Sequence, residues 1–106
     1  MHTIRVVFIS IPRDEANDMA RALVTERLCA CVNIVPKIES FYWWDDEVNH
    51  DEEALLIAKT TSDKFETLKA YVLENHPYDV PEIISMGLTE ALPEYLAWVK
   101  KEVEEG

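Results

Sequence analysis

The order of its segments predicts an α+β fold for this chain: a ferredoxin-like βαββαβ sandwich with an extra C-terminal helix and a long protruding β-hairpin. Three observations carry that expectation. Apolar, β-branched runs alternate with stretches of helical periodicity in that order. The run from Ile4 to Ile11 is apolar enough to be buried on both faces, as a central strand is. Finally, Val32 to Thr61 reads as one hairpin whose first arm, residues 32–44, reaches about 43 Å at roughly 3.3 Å per residue. A compact domain of 106 residues has a diameter of roughly 33 Å. The aromatic end of the hairpin must therefore protrude, and a protruding Phe41-Tyr42-Trp43-Trp44 run needs another chain to cover it.

Each element has its own justification. Strand one ends at Ser10-Ile11, and Pro12 opens a helix, with Asp14 and Glu15 suited to its positive dipole end. Ala16, Met19, Ala20, Leu23 and Leu28 recur at helical spacing, so the helix is expected to run to about Leu28. In the hairpin, Asp45-Asp46-Glu47 supplies a polar turn, and the second arm runs from about Val48 to Thr61. Pro36 cannot donate a ladder hydrogen bond, so a bulge or an edge position is expected there. Ser62 or Asp63 caps a second helix, which His76-Pro77 ends because the residue before proline leaves helical geometry. A short strand from Glu82 to Met86 and a last helix from Glu90 to Glu104 complete the chain. Right-handed crossovers place strands one and three centrally and strands two and four at the edges. No repeat, linker or low-complexity segment is legible, so residues 1–106 read as a single domain.

Composition excludes several functions. The net charge is −11, and phosphate binding needs a basic surface, so neither nucleic acid nor an anionic membrane is an expected partner. No apolar run approaches the roughly 20 residues of a membrane span, and the opening residues are too short an apolar stretch for a signal peptide. Cys29 and Cys31 are separated by one residue. A bridge between them would be strained and would close almost no loop, so a reducing, cytoplasmic compartment is expected.

Five stretches, in order, resemble the CutA family of divalent-cation tolerance proteins. They are Ala30-Cys31-Val32-Asn33-Ile34-Val35-Pro36, Ser40-Phe41-Tyr42-Trp43-Trp44, Leu56-Ile57-Ala58-Lys59-Thr60, residues 76–84 beginning His76-Pro77-Tyr78-Asp79-Val80-Pro81, and Tyr95-Leu96-Ala97-Trp98-Val99. The resemblance implies a tight homotrimer with strands pairing across subunits, and a role in divalent-metal tolerance with copper binding. It also implies no settled biochemical activity. Two departures stand out. Lys37 and Asp46 occupy places where the family often has glycine, and Ser10 stands where some members carry a cysteine proposed as a copper ligand. Of that proposed metal site only His76 carries over, which makes His76 the candidate metal ligand and a divalent metal such as copper the candidate cofactor.

The remaining candidates each have two readings. Asn33, Lys59, Tyr78 and Glu82 are polar residues in apolar company. Such groups must be paired, exposed or facing a cleft, so they either form a ligand cleft between subunits or satisfy one another structurally. Phe41, Tyr42, Trp43 and Trp44 either stack on a ligand or pack at a trimer interface, and the lack of nearby positive charge favours packing. The Cys29-Ala30-Cys31 pair offers thiolates to a soft metal or else packs in the core. The acids at the hairpin tip suit hard cations, but the spacing of a calcium loop is absent. His76 alternatively packs against, or caps, the second helix. No nucleophile–base pair or phosphate loop is legible, so no catalytic residue is assigned and the protein is expected not to be an enzyme. The expected function is a binding or regulatory homotrimer responding to metal ions. The alternatives are an enzyme or small-metabolite sensor using Lys59, Glu82 and Tyr78 in inter-subunit clefts, or a scaffold for partner proteins.

Overall fold

The computed structural model describes residues 3–104. Met1 and His2, the first two of the opening residues weighed as a leader, and the last two residues of the assigned domain lie outside them. Four strands form one antiparallel sheet in the order β2-β3-β1-β4. They are β1 (Ile4–Ile11), β2 (Cys31–Trp44), β3 (Glu47–Thr61) and β4 (Ile83–Gly87). β1 and β3 are central, as the crossover rule requires. The described residues also form three α-helices, α1 (Ala16–Thr25), α2 (Phe65–Asn75) and α3 (Pro93–Glu104).

α1 and α2 cover one face of the sheet. Val7, Ile9, Ile11, Ala54, Leu56 and Ala58 point there and form a core with Met19, Leu23, Leu68 and Val72. α3 packs on β3 and β1 and buries Val99 and Val103. These two valines stand apart from the core under α1 and α2. The rest of this second face is only half covered. Val6, Phe8, Val35, Leu55 and Ile57 are half-buried, and Ile84 and Met86 on β4 are exposed.

α1 ends three residues earlier than its periodicity predicts. Arg27 adopts a left-handed conformation with φ of 59°. Its N–H donates to Val24 O at 3.0 Å, and Leu28 N–H donates to Leu23 O at 3.0 Å. That is the Schellman pattern, and it returns Leu28 to the core beside Leu23 without a further helical turn. The Arg27 guanidinium then reaches both the carbonyl and the carboxylate of Glu102 at 2.8 Å, tying α1 to α3. The last helix begins at Pro93 rather than Glu90, with Tyr95 N–H donating to Leu92 O at 3.0 Å. β4 is shifted by one residue from its expected span, leaving Glu82 just outside it.

The hairpin gives the molecule its shape. The principal extents are 44 × 26 × 22 Å, and the aromatic end of β2 is exposed, with Phe41 70% and Trp43 74% accessible. Asp45 and Asp46 form the turn with φ of 52° and 61°, the mirror-image type I′ geometry that matches strand twist. The bulge falls at the proline. Val35 faces Leu55 and Ile38 faces Glu53, so Pro36 and Lys37 together oppose Ala54. Lys37 does not enter left-handed space, so a non-glycine residue sits there without strain. Arg13 Nε donates to the Pro36 carbonyl at 2.8 Å, and Arg13 and Lys37 both pair with Glu52, at 3.5 and 3.4 Å.

Candidate functional site

The bulge decides which side chains meet. Strict alternation along β2 from Ile34, a core residue, would turn Ser40, Tyr42 and Trp44 toward the helices. The extra residue at 36–37 reverses this, and all three fall on the face that carries Glu53, Leu55 and Ser10. Across from them runs the segment after α2. Between the two lies a cavity of about 630 Å³, lined by Tyr42, Trp44, Glu53, Tyr78, Asp79 and Glu82 among others.

His76 fixes the far wall. It is buried, and its Nε2 lies 2.8 Å from the Ser10 carbonyl. Its Nδ1 is 3.1 Å from the Tyr78 backbone nitrogen. A carbonyl only accepts and a backbone N–H only donates, so Nε2 carries the proton and Nδ1 accepts. The imidazole thus bolts the 76–82 segment to the end of β1, and its ring packs 4.8 Å from that of Tyr78. The Tyr78 hydroxyl donates to Glu53 Oε2 at 3.2 Å. Burial, then the adjoining Glu53 carboxylate, pushes the Tyr78 phenol up to about 12, so it remains a donor. On the opposite wall the Tyr42 hydroxyl donates to Asp51 Oδ2, and that bond raises the Tyr42 phenol as well.

The four residues expected to share a cleft divide between two places. Tyr78 and Glu82 line the cavity. Lys59 instead donates to Asn33 Oδ1 and lies 3.9 Å from Cys31 Sγ. Lys59 lies six steps along β3 from Glu53, about 20 Å of strand, so the Asn33–Lys59 pair belongs to the other end of the sheet. Sequence reasoning missed Glu53 and Asp79. Glu53 is only 6% exposed, yet it hides in the acidic run Asp51-Glu52-Glu53, and simple alternation along β3 puts it on the face of Leu55 and Ile57. Its two-residue spacing from Leu55 was the available signal.

The other candidates are placed as follows. Both imidazole nitrogens of His76 have partners within the chain, so a metal ion at either would have to displace one. Cys29 is buried and its thiol is pushed up to about 12, first by burial and then by Cys31; a proton held that tightly disfavours the thiolate a soft metal needs. Asp45, Asp46, Glu47, Asp51 and Glu52 are exposed. Phe41, Tyr42, Trp43 and Trp44 are all exposed in the protomer, and Phe41 stacks on its cross-strand partner His50 at 4.2 Å. Among the described residues no set of three or more His, Cys, Asp or Glu side chains is arranged to hold a metal ion, so one protomer alone does not fit copper. Nor is any described helix long and apolar enough to cross a membrane.

Residues 5–102 match the family model described as CutA1 divalent ion tolerance protein. The chain is 50% identical over 97 residues to the divalent-cation tolerance protein CutA of Thermus thermophilus, covering 91% of this chain and 94% of that one. It is 44% identical over 101 residues to "Protein CutA 1, chloroplastic" of Oryza sativa, covering 94% of this chain but only 57% of that relative. A crystal structure of CutA1 from Oryza sativa superposes with a TM-score of 0.94 at 40% identity, over 98% of this chain and 96% of that one.

Proposed function

This chain belongs to the CutA1 divalent ion tolerance protein family, and from that premise we propose that it acts as a cytoplasmic, ferredoxin-like homotrimer with a binding or regulatory role in the response to metal ions, and not as an enzyme. One observation supports the assembly above the others. The protomer leaves two apolar surfaces uncovered, the aromatic end of the hairpin and the half-covered face of the sheet with Ile84 and Met86, and β2 and β4 are edge strands. Burying both together against further copies satisfies the apolar area and the unpaired strand edges at once.

Divalent-metal binding, with weak affinity for copper, is proposed as a property of the trimer. Carboxylates such as Glu53, Asp79 and Glu82 from one subunit would be completed by groups from the next. The cavity supports a second reading, a small-metabolite sensor acting in the inter-subunit cleft, because a concave, polar-lined space of this size is characteristic of ligand sites.

Light scattering coupled to size exclusion tests the assembly. A trimer is expected, weakened by Trp43→Ala, whereas a stable monomer at micromolar concentration would end the proposal. Calorimetric titration with Cu²⁺ tests the metal part. A weak signal at one site per subunit is expected, and no heat of binding in the trimer would remove it.

A further inference from the structure

The cavity between the hairpin and the 76–82 segment has a composition that selects its ligand. Its charged side chains, Glu53, Asp79 and Glu82, are all carboxylates, and no Lys, Arg or His is present in its lining. Its aromatic walls include Tyr42, Trp44 and Tyr78. Carboxylates without a counter-cation repel phosphates, carboxylic acids and nucleotides. Aromatic faces attract cations, best when the cation is organic and weakly hydrated.

Glu53 sharpens the choice. It is 94% buried, the complement of its 6% exposure, and it lines the cavity. Its Oε2 accepts from Tyr78. Its Oε1 has no hydrogen-bond partner among the described residues, and the carboxylate has no ion-pair partner among them either. Facing the open cavity, that oxygen is free to take a cationic donor in place of water. The tyrosines cannot supply one, since the Tyr78 hydroxyl is already given to Oε2 and the Tyr42 hydroxyl to Asp51. Both phenols stay neutral, so they add no charge that would repel or mimic the ligand.

We propose that this cavity binds a small organic ammonium ion, its N–H donors or positive charge seated on Glu53 Oε1 and its alkyl groups packed against Trp44 and Tyr42. Asp79 and Glu82 at the outer wall steer the cation inward and reject anions. A cavity of about 630 Å³ accommodates such a molecule and far exceeds what a bare ion fills. This inference rests on the reading of the cleft as a ligand site, and it names the ligand's chemistry.

The test is a fluorescence titration of the full chain, whose tryptophans include Trp44 in the cavity wall. Ethylammonium and tetramethylammonium chloride serve as probes at constant ionic strength, with sodium acetate and magnesium chloride as comparison arms. Light scattering on the same samples reports assembly separately, so loss of the trimer and loss of the cleft are distinguishable. A saturable change is expected with both ammonium probes. Glu53→Gln weakens it at least about tenfold, and Trp44→Leu weakens it about threefold or more, which keeps a readout if the Glu53 variant fails to fold. An intact trimer with no saturable ammonium response would overturn the proposal. So would a response unchanged in both variants, an equal response to acetate, or a magnesium response that the Trp44 variant leaves untouched.

Discussion

His76→Ala separates a bolt from a metal ligand. The wild-type imidazole makes two hydrogen bonds, to the Ser10 carbonyl at 2.8 Å and from the Tyr78 N–H at 3.1 Å. Each is worth about 0.5–1.5 kcal/mol net, and removing one partner leaves the other unpaired at a further cost. The ring is 8% exposed and packs on Tyr78, so truncation also opens a void. Together these give a loss of about 2–4 kcal/mol. Urea unfolding, followed by circular dichroism at fixed protein concentration in metal-free buffer, should show this as a lowered midpoint with an unchanged slope. His76→Gln, whose amide can both donate and accept, should recover part of it. A midpoint equal to wild type in metal-free buffer, with a deficit appearing only when Cu²⁺ is present, would show that the imidazole serves the metal and not the fold.

Three further outcomes follow from local geometry. Asp46→Gly should raise stability by about 1 kcal/mol, because glycine adopts the positive φ of 61° without a Cβ penalty; Asp46→Ala should move the thermal midpoint the other way. Thr61→Val should stabilise by up to about 1 kcal/mol in the same urea assay, since the buried Thr61 Oγ1 has no hydrogen-bond partner among the described residues and the substitution keeps its shape. The Tyr78 phenol, raised from 10.0 to about 12, should be the late step in a tyrosinate absorbance titration. A raised folded value means its contribution to stability is full below pH 10 and is lost as pH rises through about 12; in Glu53→Gln that late step should move down, and an unmoved step would refute the pairing.

Much of the fold was legible because alternation and proline chemistry are local. Ile4–Ile11 reads as a buried strand from its own residues, and Pro36 announces the bulge by lacking an N–H. The end of α1 was not legible. Leu28 keeps the helical period, and the chain breaks at Arg27 through a left-handed conformation that arginine does not advertise. The site was half legible for a related reason. Tyr78 and Glu82 follow a helix-ending proline and share one short segment, so they arrive together. Lys59 and Glu53 lie on the same strand and the same face, but the length of β3 keeps Lys59 from the cavity. Glu53 looked like part of a solvated charge run because its neighbours Asp51 and Glu52 are exposed, although alternation from Leu55 turns it toward the cavity. The exposed aromatics were legible as needing cover.

The bulge at Pro36-Lys37 also constrains how such a chain can change length. Beyond it every side chain of β2 has its orientation set by an odd number of inserted residues. Deleting Lys37 alone would restore strict alternation and leave Tyr42 and Trp44 on the side of Glu53, because the pairs Val35–Leu55 and Ile38–Glu53 already share that side. Beyond the bulge residues 38–44 pair one to one with β3, so there the shaft can lengthen or shorten only by paired changes in both arms. A single-residue deletion within 38–44, by contrast, would turn the side chains beyond it to the opposite face.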